Sequence, residues 1–193
     1  VAIDRSTPDR LAPDRLADER FANARIAPDR PSDSEHLGLL LLRYLEEENR
    51  QGEGEGGEQK LRKSLYQPSE ELLTLSGRFI GAAIEVHRHL GPGYPEGIYA
   101  KAVCRELTRQ GIPFAAEVPL EIVYKEELLG EFRLDLIVYE RFVVELKAID
   151  SITSVHVAQV ISYLKASGLR LGYIVNFNVP RLQHGIRRVT WSG

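Results

Sequence analysis

Two carboxylates and an ammonium group lie close together in the sequence between residues 135 and 147. Asp135 precedes Glu145 by ten residues, and Lys147 follows Glu145 by two. Paired carboxylates bind hard divalent cations, and a nearby lysine can orient or deprotonate a water molecule or hold a phosphate oxygen. Residues two apart on a β-strand project from the same face, so Glu145 and Lys147 can act together if this stretch is a strand.

The turn between the two predicted strands decides whether the carboxylates meet. A two-residue loop would place Glu145 on the apolar face of the sheet. A three-residue loop over 139–141 instead pairs Val138 with Phe142, keeps that face apolar and sets Asp135 directly opposite Glu145. Two opposed carboxylates have Cβ atoms about 4.5 to 5.5 Å apart and destabilise the sheet unless a cation lies between them.

A divalent cation would relieve this repulsion. Mg²⁺ prefers oxygen ligands and keeps several waters, and the backbone carbonyl of Leu146 could supply a third protein oxygen; Mn²⁺ is the alternative ion. The same register places Arg133 opposite Lys147. The alternative interpretation of Glu145-Leu146-Lys147 is a solvated strand face with a surface ion pair. Glu58-Gln59-Lys60 has the same spacing outside any predicted strand, so spacing alone does not exclude that interpretation.

A predicted helix after these strands carries a polar stripe. His156, Gln159 and Tyr163 fall at positions i, i+3 and i+7, which share one helix face. The opposite face is predicted to be apolar, with Val157, Val160, Ile161 and Leu164. Such a polar stripe can contact a phosphate or a base, and it is equally compatible with an ordinary exposed helix face.

The hydrophobic pattern predicts the element order ααβββαβ. Two helices come first, the second after Gly91-Pro92-Gly93, and three strands rich in Val, Ile, Leu and Tyr follow. The last helix is closed by Gly168 and leads into a fourth strand. The predicted elements span Ser69–Leu90, Pro95–Gln110, Ala116–Tyr124, Gly130–Tyr139, Phe142–Ala148, Ser154–Ser167 and Leu171–Phe177.

Composition limits the class of protein. The chain has 193 residues, of which 43% are hydrophobic, and a net charge of -3, so any nucleic-acid site must be local. The single cysteine, Cys104, excludes an internal disulfide and a CxxC zinc site, and it favours a reducing, cytoplasmic compartment. The longest apolar run is far shorter than the roughly 20 residues of a membrane span, so we expect no membrane partner.

The first 60 residues differ from the rest. Arginine recurs every five residues from Arg5 to Arg30, a period that matches neither helix nor strand. We expect residues 1–60 to be a disordered, low-complexity extension, with a short amphipathic helix over 37–48 and a flexible Gly/Glu linker over 51–59. The folded domain is expected over residues 61–193.

The combination of these motifs resembles the PD-(D/E)xK nuclease superfamily, and within it the bacterial proteins named for a GxxExxY motif. That motif is present as GYPEGIY, residues 93–99. The resemblance covers about residues 70–190, including the segments FRLDLIV, VVELKA and YIVNFNVP. The pair Gln159 and Tyr163 is similar to the QxxxY element of RecB-like nucleases. Leu134 stands where the superfamily often has proline before the metal-binding aspartate.

The resemblance implies an α/β (α+β) fold of the restriction-endonuclease type. Its αβββαβ core would have a central mixed four-stranded sheet flanked by helices, with an extra N-terminal helix. It implies that Asp135 and Glu145 bind Mg²⁺ and that Lys147 assists the attacking water. Glu96 would point toward the metal site as a fourth catalytic residue, or would simply favour the first turn of its helix.

The resemblance also implies a nucleic-acid substrate, with DNA favoured by analogy alone. Gln159 and Tyr163 would position the nucleic-acid backbone, and Arg133 and His156 are further candidates for substrate contact. A homodimer is one oligomeric state compatible with the sequence. The alternative function is a non-catalytic nucleic-acid-binding or scaffold module that keeps the fold. A dinucleotide-binding loop at Gly91-x-Gly93-x-x-x-Gly97 is disfavoured because it follows a helix instead of a strand.

Overall fold

The computed structural model of the protein describes residues 66–193. The predicted extension 1–60, with its helix at 37–48 and its linker at 51–59, lies outside the described residues. Within the described part the predicted order of elements is confirmed, and one further strand follows at the C-terminal end.

Two helices precede the sheet. Helix α1 spans Glu70–Leu90, and its N-cap Ser69 accepts a hydrogen bond from the backbone N–H of Leu72. It ends at Gly91, whose φ of 66° is a conformation that glycine adopts without strain. Helix α2 spans Glu96–Arg109, directly after Pro95. Both helices therefore begin and end within a residue or so of the predicted bounds.

The sheet has five strands, one more than the sequence predicted. The strands lie in the order β1-β2-β3-β4-β5; only β3 and β4 are parallel, so the sheet is mixed. Helix α3, Ser154–Ser167, connects these two strands. The strands are β1 Phe114–Tyr124, β2 Glu127–Val138, β3 Phe142–Lys147, β4 Leu171–Asn176 and β5 Ile186–Thr190.

Strand β5 was missed because its sequence lacks a strand pattern. It is an edge strand of five residues, IRRVT, and a short 3-10 helix, Leu182–Gly185, leads into it. Two adjacent arginines interrupt its apolar positions, and an edge strand tolerates such residues because one side of it faces solvent.

The turn between β2 and β3 confirms the predicted register. Val138 pairs with Phe142 across a three-residue turn, and Leu136 pairs with Val144. Tyr139 and Glu140 both have positive φ, 54° and 57°, which a type I′ turn requires at its central residues. No Asn-Gly or Asp-Gly signal marks this turn in the sequence, so the parity of the apolar positions was the only indication of its length.

Strands β1 and β2 form a long hairpin that projects past the rest of the sheet. They pair up to Tyr124 and Glu127, whereas β2 is paired with β3 only over Leu136–Val138. Because β2 is antiparallel to β3, the free end of this hairpin lies at the C-terminal end of β3. Several large apolar side chains are exposed on it: Ile122, Val123, Tyr124, Leu128, Leu129 and Phe132.

Helices cover both faces of the sheet. Helices α1 and α2 pack on one face, in a core cluster that includes Phe79, Tyr99 and Leu136. Helix α3 packs on the other face, in a second cluster with Leu134 and Val160. Leu134 and Leu136 thus lie on opposite faces although they are two residues apart, which shows that β2 rotates about Asp135.

None of the helices within residues 66–193 combines the length and the apolar character needed to cross a bilayer.

Candidate active site

Asp135 lies where strand β2 leaves β3. The β2–β3 ladder ends at the pair Leu136 and Val144, and beyond it the Asp135 side chain takes over the pairing. Its Oδ2 accepts a hydrogen bond from the backbone N–H of Leu146, with 2.7 Å between nitrogen and oxygen. Burial raises the pKa of Asp135, and this hydrogen bond and the charge of Lys147 oppose the rise.

Glu145 is almost completely buried on β3. Its Oε1 accepts a hydrogen bond from Nζ of Lys147 at 2.6 Å, while its Oε2 has no hydrogen-bond partner among the described residues. Burial, followed by the negative charge of Asp135, raises the pKa of Glu145 to about 7. A buried carboxylate oxygen without a donor is costly, and a cation at this position would remove that cost.

Lys147 stays protonated at neutral pH. Burial lowers its pKa, but the hydrogen bond and the charge of Glu145 outweigh burial, so the pKa of Lys147 lies above its ordinary value. The ammonium group therefore serves as a donor of hydrogen bonds and a source of positive charge, and it is unsuited to remove a proton from water at neutral pH.

The donor set fits a magnesium ion. Within residues 66–193 no group of three His, Cys, Asp or Glu side chains could enclose a metal. Mg²⁺ is commonly held by one or two carboxylates, with waters and substrate phosphates completing its shell. Asp135 and Glu145 supply two carboxylates. Leu146, whose carbonyl is the candidate third ligand, already donates its backbone N–H to Asp135.

Glu96 is the first residue of α2 and is exposed. It is near enough for its negative charge to raise the pKa values of both Glu145 and Lys147. The loop before it is held by Tyr99, which is fully buried. The Tyr99 hydroxyl donates to the carbonyl of Gly91 at 2.7 Å and accepts from the N–H of Tyr94 at 3.1 Å. The tyrosine thus fixes the loop that presents the glutamate.

Helix α3 does not present a purely polar stripe. Tyr163 is buried with Val160 and Leu164, so the prediction that it faces away from the apolar side was wrong. Phe132 of the projecting hairpin packs against its ring, with 4.7 Å between centroids, and this contact covers the side of the helix expected to be exposed. The Tyr163 hydroxyl still accepts a hydrogen bond from Nε2 of Gln159.

Tyr163 lies beside the carboxylates. Burial and then the charge of Glu145 raise its pKa, so the phenol remains protonated. His156 lies at the start of the helix, where its Nδ1 accepts a hydrogen bond from the N–H of Thr153 at 2.9 Å. That contact caps the helix. A role for His156 in substrate contact stays a prediction.

Arg133 stands apart from the carboxylate pair. Its exposed guanidinium lies 3.7 Å from the carboxylate of Glu117 and 3.9 Å from that of Glu131. Both partners are on the same hairpin, and pairs between exposed groups of this kind contribute little to stability. The arginine is thus free to exchange these partners for a substrate, and its substrate role stays a prediction.

A family model supports what this geometry indicates. The model of the PD-(D/E)XK nuclease superfamily matches residues 74–189, which include both carboxylates, Lys147 and helix α3. The chain belongs to the PD-(D/E)XK nuclease superfamily. The narrower assignment to proteins with the GxxExxY motif remains a prediction. Comparison with curated proteins and with solved structures found no match.

One buried polar residue has a structural role that the sequence did not predict. Asn176, at the end of β4, is buried; its Nδ2 donates to the carbonyl of Ile149 at 2.7 Å and its Oδ1 accepts from the N–H of Ile149 at 3.0 Å. It therefore anchors the segment that follows Lys147 to the neighbouring strand. No sequence signal could reveal this contact, because 27 residues separate the partners.

Proposed function

We propose that the protein is a magnesium-dependent nuclease that hydrolyses phosphodiester bonds in nucleic acid, with DNA the favoured substrate. The observation that carries the proposal is the pair of a partly buried Asp135 and a buried Glu145, in which Oε2 of Glu145 has no donor within residues 66–193. The pair is unfavourable in the isolated protein, since each carboxylate hinders ionisation of the other. A bound divalent cation would convert this unfavourable pair into a binding site.

Asp135 and Glu145 would hold Mg²⁺, together with the carbonyl of Leu146. Bound in this position, Mg²⁺ would favour ionisation of water and stabilise negative charge on the phosphoryl group. Mn²⁺ is the expected substitute, since it accepts the same oxygen ligands. Glu96 would add negative charge beside the ion, and its exposed position is compatible with a contact through water.

Lys147 would act as a donor. Its ammonium group is held against Oε1 of Glu145 at 2.6 Å and remains protonated, so it can donate to a phosphate oxygen or orient the attacking water. Gln159 and Tyr163 would position the nucleic-acid backbone beside it, with the protonated phenol as a second neutral donor. His156 and Arg133 are further candidates for contact with the substrate.

Metal titration combined with cleavage tests the proposal. We expect calorimetry to detect Mg²⁺ binding to the wild-type protein and not to Asp135→Asn, and we expect only the wild type to cleave single-stranded or duplex DNA. Glu131→Gln is the matched control, because it removes an exposed carboxylate from the same strand. Full activity of purified Asp135→Asn would contradict the assignment of the metal site.

The alternative function is a non-catalytic nucleic-acid-binding or scaffold module. It predicts DNA binding that is independent of Mg²⁺ and no cleavage with either metal. The grouping of Asp135 and Lys147 around the buried carboxylate of Glu145 favours the enzyme, because a scaffold has no use for two repelling carboxylates. Cytoplasmic location and a homodimer are parts of the proposal that rest on the sequence alone.

A further inference from the structure

A cavity of about 580 Å³ opens on the β4 and β5 side of the sheet, next to the segment that follows β3. Its walls come from the segment after β3, from the end of β4 and from the beginning of β5, and they include Asp150, Asn176, His184, Arg187 and Arg188. This volume lies within the range of small-molecule sites, so it can accommodate a nucleotide unit.

The backbone ties this cavity to Lys147. Asp150 follows Lys147 by three residues, so the two Cα atoms are at most about 11 Å apart. Asn176 pairs with Lys147 in the β3–β4 ladder and also binds both backbone polar groups of Ile149. The cavity wall is therefore held at a fixed place relative to the lysine.

The charge of the cavity favours an anion. Arg187 and Arg188 bring two positive charges to its wall, against one negative charge from Asp150. Arg187 is exposed and forms no ion pair within residues 66–193. A guanidinium group with free donors at the edge of a cavity is well suited to a phosphate group, which it can bind through two parallel hydrogen bonds.

The opposite side of the site repels an anion. The projecting hairpin begins on that side of the carboxylates, and over residues 117–133 it carries five glutamates against Lys125 and Arg133. A polyanionic strand that leaves the catalytic centre along this hairpin would meet like charge. Charge complementarity therefore selects the β5 side. The glutamates are Glu117, Glu121, Glu126, Glu127 and Glu131.

We infer that the cavity beside β5 is a phosphate-binding subsite, in which Arg187 holds the phosphodiester backbone of the nucleic-acid strand as it leaves the catalytic carboxylates. The inference rests on the proposed nuclease function and adds a path for the substrate: the nucleic-acid strand runs from Lys147 over β4 to β5. It assigns a substrate-binding role to a strand whose sequence shows no motif.

Binding of labelled single-stranded DNA to the full chain tests the inference without cleavage, in EDTA and across a range of salt concentrations. We expect Arg187→Ala to weaken binding about tenfold and to lower the slope of log K against log salt by about 0.7. Arg187→Lys should keep most of the slope, because it keeps the charge. Arg141→Ala is the matched control, since Arg141 is an exposed arginine at the opposite end of β3.

Three results would overturn the inference: unchanged affinity in Arg187→Ala, an equal loss in Lys125→Ala at the hairpin tip, or an equal loss in Arg141→Ala. Thermal melting of each variant shows whether the fold is intact. The nuclease proposal fails separately if the wild type does not cleave DNA with Mg²⁺. The binding experiment in EDTA still measures whether DNA binding depends on Arg187.

Discussion

The carboxylate of Asp135 replaces a sheet partner for Leu146: its Oδ2 accepts the backbone N–H of Leu146 at 2.7 Å, at the point where the β2–β3 ladder ends. One side chain thus closes the sheet and places a carboxylate beside Glu145. On the neighbouring strand β1, Glu117 has a φ of 50°, and this irregular backbone accompanies the rotation of β2 at Asp135. The proposed metal-binding position and the end of the ladder are the same structural feature.

The hydrogen bond to Leu146 predicts different stabilities for two variants that both lack the Asp135 carboxylate. Asp135→Asn keeps an oxygen for the N–H of Leu146, whereas Asp135→Ala leaves that N–H without its partner. We expect the alanine variant to be less stable than the asparagine variant by about 1 to 2 kcal/mol. Urea unfolding in EDTA measures the difference, and equal stabilities would show that the hydrogen bond contributes nothing.

Glu145 predicts a dependence of stability on pH in the absence of metal. Its pKa is about 7 in the folded chain and about 4.3 in an unfolded one. The folded state therefore binds this proton more tightly, and the stabilisation present at low pH is lost as the pH rises from about 4 through 7. We expect the wild type to lose about 2 to 3 kcal/mol more than Glu145→Gln between pH 4 and pH 8.

Chemical unfolding of both proteins in EDTA at several pH values measures that loss. Mg²⁺ should restore the stability of the wild type at pH 8, because it binds the ionised carboxylate, and it should have no such effect on Glu145→Gln. Parallel pH profiles for the two proteins would contradict the raised pKa of Glu145.

The hydrogen bonds of the Tyr99 hydroxyl predict that its removal lowers the stability of the fold, whereas removal of the Tyr94 hydroxyl does not. Tyr99→Phe removes the hydroxyl that binds Gly91 and Tyr94, and we expect it to cost about 2 kcal/mol, since both partners lose a partly buried hydrogen bond. Because the loop also presents Glu96, activity should fall several-fold. Tyr94→Phe is the matched control, as its side chain is half exposed and only its backbone makes the hydrogen bond. Thermal melting and cleavage rates of the two variants should differ accordingly.

Gly185 and Gly97 predict opposite effects of the same substitution. A Cβ atom at Gly185 would lie 2.1 Å from the carbonyl oxygen of Asn176, so Gly185→Ala must displace backbone next to the proposed phosphate subsite. We expect a loss of at least about 2 kcal/mol. Gly97 is exposed in α2 with nothing near its Cβ position, and Gly97→Ala should stabilise by about 0.5 to 1 kcal/mol. Melting temperatures of the two variants test both predictions. A Gly185→Ala variant as stable as the wild type would contradict the close approach of the Asn176 backbone.

Removal of residues 1–60 is predicted to leave the melting temperature nearly unchanged. Residues 66–193 contain a five-stranded sheet with helices on both of its faces and two core clusters, and we expect this part to fold by itself. Calorimetric melting of the full chain and of the shortened chain makes the comparison. A large drop would mean that the segment 37–48 packs against this unit.

The sequence by itself determined the local elements and one register. Helix ends follow from Ser69 and Gly91 because capping depends on residues close in the chain. The pairing of Val138 with Phe142 follows from the period of two in a strand, which allows only loops of odd length if the apolar face is to continue. The candidate carboxylates and Lys147 could be proposed for the same reason, since Glu145 and Lys147 are two residues apart on β3 and the β2–β3 register brings Asp135 to them.

The tertiary structure alone decided which groups remain unsatisfied and what surrounds them. Tyr163 is buried because Phe132 reaches it from a distant hairpin, and no helical period contains that contact. Oε2 of Glu145 has no donor within residues 66–193, and the cavity exists because β5 returns beside β4. Such features depend on contacts between residues far apart in the chain, and a pattern of neighbouring residues carries no record of them.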